Sequence, residues 1–411
     1  MIIRAKYALL SPGEVRRDVC LEVDGERIAA VHSGYRPGAM RPDHDFGLAV
    51  ITPGLVNPHT HLELEYCAGD APFRGSFTDW LQRIRDSKRS RGDQATALPV
   101  ASLRHLASCG CTTVLDHYTT ELDWAGIERS GLRYLPLREF FQFNNHAPDP
   151  AQMRKQSHGG FAPHAPYTAS IEIAQACRRL ADEAGLPLSM HVSEVPAELE
   201  FVRTGQNEEI HRLLELAGAV DPEWRGTGLS PVQYYARHGI FDGPAYAVHV
   251  NYCLDGDLDV LAALKPTVVF CPRSHAYFGH PPHPIAEYLA AGIPLALGTD
   301  SLASNTQLSP LHEAALVRLR YPQVTAAQIF AAMTLAALAP LGWDGYLGKL
   351  EPGYLADFAV FRLDGDPGGV LGRDELFAAL LDAVIATNHA VHTAVGGMPL
   401  FEAQPAALHA N

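Results

Sequence analysis

The sequence predicts an α/β fold: a (β/α)8 TIM-like barrel with a small β-sandwich domain formed by the N- and C-terminal segments. Three observations carry this. Eight apolar, strand-like runs follow one another from Ala49 to Gly298, with helical stretches between most of them. Repeated βα units imply a parallel sheet, and eight of them suggest a closed barrel. No GxGxxG or P-loop follows the early runs, which lowers the alternative of an open doubly wound sheet. Both chain ends are β-rich, and 411 residues that are 47% hydrophobic can bury one large core and one small one.

Residues 1–50 open with Ile2–Leu9, Asp18–Val23 and Arg27–His32, runs parted by turn signals such as Asp24-Gly25. The first barrel strand is read through Ala49-Val50-Ile51 to Leu55-Val56. A helix-like stretch, Leu98–Ser108, leads to the strand Thr112–Leu115, then Leu132–Leu137 and Gly160–Ala162. Ser170–Ala184 has helical periodicity, with Ser170 as N-cap and Gly185 as the stop. The strands Leu186–His191, Ala245–Val250, Thr267–Cys271 and Ile293–Gly298 complete the eight. Asp257–Leu264 and Pro284–Ala291 are the helices between the last three. Leu308–Arg320 and Ala326–Leu341 follow as helices, Gly345–Arg362 reads as turn and strand, and the C-terminal region through Ala394–Gly397 reads as β. The predicted division is a catalytic barrel over residues 51–345 and a composite β domain from residues 1–50 and 346–411.

The formal net charge is −14. A surface this acidic does not attract phosphate backbones or anionic lipid, so neither nucleic acid nor membrane is an expected partner. Seven scattered cysteines without a CxxC pair point to reduced thiols, not to a disulfide scaffold or a zinc finger. Met1–Gly13 lacks the features of a signal peptide, and no run approaches the ~18 apolar residues of a spanning helix. A cytoplasmic protein with a small-molecule substrate is expected, a homodimer on base rate.

The strongest local signal is Asn57-Pro58-His59-Thr60-His61 at the end of the first barrel strand. Residues two apart in extended backbone share a face, so His59 and His61 can aim two imidazoles at one metal ion. The strand Leu186–Met190 ends in His191, the next in His249, and the last in Gly298-Thr299-Asp300. The C-terminal strand ends of a barrel carry its active site. Three histidines and one carboxylate suit one divalent metal ion, Zn²⁺ foremost, with iron as the alternative. Glu194, three residues after His191, can face the same pocket or stabilise a helix N-terminus. His164 ends the fourth strand. Arg273, Ser274 and His275 follow the seventh, and Phe73, Phe77 and Trp80 form an aromatic group after the first, suited to core packing or to a lid over a ring.

These residues match a known pattern. Pro53-Gly54-Leu55-Val56-Asn57 with His59-Thr60-His61, His191-Val192-Ser193-Glu194, His249, Gly298-Thr299-Asp300-Ser301 and Gly348–Gly353 with Ala356-Asp357 together span nearly the whole chain. The chain resembles the amidohydrolase superfamily, in its cytosine-deaminase-like and S-adenosylhomocysteine-deaminase-like branch. The resemblance implies a mononuclear metal-dependent deaminase with His59, His61, His191 and Asp300 as ligands. It implies Glu194 as the proton-transfer glutamate, His249 as its strand-six partner, and Asp300 as a second proton carrier. Some members hold two metals through a carboxylated lysine. Here Lys88 and Lys155 are the only lysines between His61 and His191, and neither ends an apolar strand.

Within the branch, His61–Leu64, the Phe73–Trp80 segment and Cys271–Phe278 look most like 6-aminodeoxyfutalosine deaminases of menaquinone biosynthesis. Ser274-His275 stands where adenosylhomocysteine-type members usually carry a Ser-Asn pair. His164, Glu63, Arg273 and Trp80 are the expected substrate contacts. Adenosylhomocysteine or methylthioadenosine, guanine or pterin deamination, cyclic-amide hydrolysis and a non-catalytic scaffold remain as alternatives.

Overall fold

The computed structural model describes residues 1–38, 40–69, 72–91, 100–369 and 371–403. The chain opens with β1 Ile2–Ser11, β2 Glu14–Asp24, β3 Arg27–His32, β4 His44–Asp45 and β5 Ala49–Pro53. Eight strands follow: β6 Leu55–Thr60, β7 Cys111–Tyr118, β8 Arg133–Phe140, β9 Gly160–Pro163, β10 Leu188–Val192, β11 Ala245–His249, β12 Thr267–Phe270 and β13 Leu295–Leu297. The last three are β14 Phe358–Arg362, β15 His392–Val395 and β16 Met398–Glu402.

The middle eight form two parallel sheets, β6-β7-β8-β9 and β10-β11-β12-β13. All eight are buried along their length, apart from three half-buried positions in β8, as expected of parallel strands covered on both faces. Backbone bonds reach across both junctions: His191 N donates to His164 O (2.9 Å), and Thr299 N and Asp300 N to His59 O (3.1 and 3.2 Å). The helix Ile171–Ala184 has its predicted ends. Ser170 Oγ accepts from Ile173 N, and Gly185 turns left-handed at φ 65°.

The described strands of the two terminal segments form one eight-stranded sheet, in the order β16-β15-β14-β5-β1-β2-β3 with β4 beside β1. Its own core joins Ile3, Val19, Ile28, Ile51, Phe358 and Ala394. Three sequence expectations are corrected. Ala49-Val50-Ile51 does not start the first strand of the parallel sheets; it belongs to β5, between β1 and β14. The break falls at Gly54, where a Cβ would sit 2.1 Å from Thr112 Oγ1. Ala326–Leu341 is not one helix. Thr334, at φ −135° and ψ −100°, parts Ala326–Ala332 from Leu335–Leu338. The region before β15, read as β, contains the helix Arg373–Thr387. Leu98 and Pro99, the start of one predicted helix, and residues 404–411 lie outside the described residues. Among those described, no helix is long and apolar enough to cross a membrane.

Candidate active site

His59 lies in β6 and His61 just beyond it, with ring centroids 4.9 Å apart. His191, in β10, has its ring 5.0 Å from that of His59 and 5.5 Å from that of His61. Asp300 follows β13, and its Oδ1 stands 3.8 Å from Nε2 of both His59 and His61. That is outside hydrogen-bond reach. All four residues are buried.

The donor chemistry fits a divalent metal. Both ring nitrogens of His59 are buried without a hydrogen-bond partner. His191 Nδ1 faces His164 O at 2.9 Å. A carbonyl only accepts, so Nδ1 carries the hydrogen and Nε2 keeps its lone pair. Burial and the surrounding imidazoles hold His59 well below the usual histidine range, and burial pushes His191 down to about 3. Neutral imidazole is the form that ligates. His117, in β7, also falls in this cluster. Its nitrogens already face Glu139 Oε1 (3.1 Å) and Ser189 Oγ (2.8 Å).

The surrounding groups orient these donors. Asp300 Oδ2 accepts from Ser274 Oγ (2.7 Å) and Ser304 Oγ (2.9 Å), and Oδ1 from Ser301 N (2.7 Å). Glu139, at the end of β8, lies 3.8 Å from His191 Nδ1 and 3.9 Å from His61 Nδ1. Carboxylates placed behind imidazole ligands fix ring orientation.

Glu194 sits beside this cluster, with Oε1 3.5 Å from His249 Nε2. Burial pushes its carboxyl well above the usual range, and Asp300, Glu198 and Glu139 add to the shift. Burial drives His249 well below its usual range, helped by His191, His280, His61 and His275. Burial thus disfavours charge on both members of the pair. Ser193 (φ 52°), His249 (φ 74°), Val250 (φ 43°) and Asp300 (φ 55°) all hold left-handed backbone, which non-glycine residues adopt at a cost of order 1–3 kcal/mol.

Of the expected substrate contacts, His164 lies nearest. Its ring is 4.8 Å from that of His191, it stacks on Phe141 at 4.4 Å, and its Nδ1 meets Thr168 Oγ1 at 2.6 Å. Trp80 packs against Phe77 and Phe278, with its indole nitrogen buried and unpartnered. Glu63 and Arg273 are tied to neighbouring loops. Glu63 accepts from Lys88 and from the backbones and hydroxyls of Thr119 and Thr120. Burial raises its pKa, but Lys88 and the threonines prevail and hold it at about 2. Arg273 bonds Asn305 Oδ1 (2.9 Å) and Thr306 Oγ1 (2.6 Å).

Sequence reasoning missed Glu139, Glu198, Ser189 and Ser304. Glu139 had a usable signal, a polar residue ending an apolar strand. Ser189 bonds a residue distant in sequence, Ser304 a residue four before it in a loop turn, and Glu198 the backbone just ahead of its own helix. A cavity of about 290 Å³ adjoins Glu139, lined by Arg138, Phe141, Gln142, Asn145 and Gln152 among others.

A profile of the amidohydrolase family matches residues 50–395. A 5-methylthioadenosine/S-adenosylhomocysteine deaminase of Nitratidesulfovibrio vulgaris is 30% identical over 361 residues, 81% of this chain and 76% of the relative. A 5'-deoxyadenosine deaminase of Methanothermobacter thermautotrophicus is 28% identical over 379 residues, 86% of this chain and 83% of the relative. Among solved structures, Helicobacter pylori aminofutalosine deaminase in complex with methylthio-coformycin superposes with TM-score 0.82 at 19% identity, covering 97% of this chain and 100% of that one. An adenosine deaminase from Xanthomonas campestris with bound zinc gives 0.78 at 23% identity, covering 99% and 95%.

Proposed function

The chain belongs to the amidohydrolase family, and from that premise we propose its substrate and the work of each residue. It is a hydrolytic deaminase of adenine or adenosine derivatives. The substrate we propose is 6-aminodeoxyfutalosine, converted to futalosine and ammonia in menaquinone formation. The single observation behind the chemistry is the buried Glu194 carboxyl beside His249 and Asp300. The loop resemblance and the aminofutalosine deaminase neighbour support the substrate. The cavity beside Glu139 is the candidate space for its 5' substituent.

His59, His61, His191 and Asp300 would hold one metal ion, which we propose is zinc. When bound, the metal supplies acidity to a water molecule, lowering its pKa toward ~7. Glu194 donates its proton to the ring nitrogen next to the amino-bearing carbon, making that carbon electrophilic. Asp300 takes a proton from the attacking water, and His249 donates a hydrogen bond to the developing oxygen. Asp300 and Glu194 then relay a proton to the amino group, the C–N bond breaks to release ammonia, and the remaining hydroxyl proton passes to the Glu194 carboxylate as the carbonyl forms. Two carboxyls with separate surroundings thereby divide base and acid roles.

The backbone bonds at both sheet junctions support reading the two parallel sheets as one closed barrel. The terminal sheet, with its shared core, supports a composite β domain, which we propose folds over as a sandwich. A cytoplasmic homodimer remains an expectation that light scattering and cell fractionation test.

Ammonia release from the zinc-loaded enzyme is measured with aminodeoxyfutalosine, adenosylhomocysteine, methylthioadenosine, 5'-deoxyadenosine, adenosine, guanine and cytosine. The highest kcat/KM is expected for aminodeoxyfutalosine. Preference for another member of the panel replaces that substrate, and no release from any of them removes the proposed chemistry.

A further inference from the structure

Glu198 is fully buried, and no step above uses it. It sits in the first turn of the helix Pro196–Thr204, whose N-cap, Val195, offers no side-chain bond. Its carboxylate turns back along the chain. Ser193 N donates to Oε1 at 2.7 Å and Glu194 N to Oε2 at 2.8 Å, and the Val195 N–H also faces the carboxylate. A glutamate serving only as a cap would need just the last of these. The two hydrogen bonds go to residues before the cap, and one of those residues is Glu194.

The other side of this loop is held as well. Asn251 N donates to Ser193 O (3.0 Å), and Asn251 Nδ2 to Glu194 O (3.1 Å). Asn251 lies two residues beyond His249, so the loop bearing Glu194 is tied to the strand end bearing its partner. Ser193 is left-handed at φ 52°, a conformation that persists only where the surroundings over-determine it. Successive N–H groups converging on one carboxylate provide that.

We propose that Glu198 is a positioning residue for the deamination. By gripping the N–H groups of Ser193 and Glu194, it fixes the Glu194 carboxyl against His249 and the substrate ring. The inference rests on Glu194 being the proton donor.

Glu198→Gln keeps the volume but loses the charge and one acceptor oxygen. Displacement of a reacting group by about 1 Å can cost on the order of 100-fold. In the zinc-loaded enzyme, E198Q should therefore lower kcat by about 10- to 100-fold, with KM and the metal content per chain unchanged. In an E194Q background, the same change should cost no further turnover. A lower Tm with kcat unchanged would mean a helix cap only and would overturn the proposal, as would a further loss in the E194Q background. If E198Q fails to fold, Glu198→Asp keeps the charge but withdraws it from both N–H groups, and the same selective loss of kcat is expected. The two readings fail differently. An active E194Q removes Glu194 as the acid, whereas an inactive E194Q beside a fully active E198Q removes only Glu198.

Discussion

His59 buries two ring nitrogens and gives neither a hydrogen bond. Leaving such a group unpaired costs about 1–3 kcal/mol, so the cluster gains most when a cation takes up the lone pair. The partners of Asp300 set how well it joins in. Ser304→Ala removes one of two donors to Oδ2 and should weaken zinc binding by about 10-fold or more, read by competition with a chelator. Glu313, which is not among the proposed ligands, gives a pH prediction. Burial pushes its carboxyl up to about 8, against bonds from Arg273 N and Asn305 Nδ2. The folded pKa exceeds the unfolded value of about 4.5, so the folded chain binds the extra proton. The stability this contributes is complete below about 4.5 and is lost as pH rises through about 8. Glu313→Gln removes that dependence, while its lost acceptor adds a constant offset. The Tm difference, variant minus wild type, should therefore rise between pH 5 and 9. A difference that stays flat across that range counts against the assignment.

At the scale of elements, Gly54 stands between β5 and β6, and Thr112 leaves it no room for a Cβ. Gly54→Ala should destabilise the fold by about 1–3 kcal/mol, as overpacking does, measured by urea unfolding. This boundary had a usable signal in the Pro53-Gly54 pair, but Ala49-Val50-Ile51 and Leu55-Val56 are apolar on both sides of it, and a buried strand looks the same in either sheet. The helix Arg373–Thr387 escaped for a related reason. Leu376, Phe377, Leu380, Leu381 and Val384 are buried, while the positions between them are also largely apolar, so no polar stripe marks the period. The site fared better. His59, His61, His191, His249 and Asp300 each end an apolar run, and the structure brings them together because parallel strands deliver their C-terminal ends to one side. Glu198 and Ser304 act through partners, and a single sequence carries no record of partnership.

For the whole molecule, one ion pair ties the parallel sheets to the terminal sheet. Arg133, the first residue of β8, meets Asp357 through two bonds of 2.7 and 2.9 Å, and Gly396 N donates to the same carboxylate. Arg133→Ala would strand a buried charge. Broken buried pairs cost about 3–5 kcal/mol, and the partial exposure of Arg133 reduces this to roughly 2–3, measurable by denaturant titration. The strand order has a consequence for synthesis. β14 pairs with β5, and β5 leads through Gly54 into β6. About 300 residues must therefore leave the ribosome before the edge of β5 finds its partner, a long wait for a non-local pairing. A nascent chain stalled before Phe358 should remain open to protease around residues 49–60, a stretch that ends within the histidine cluster.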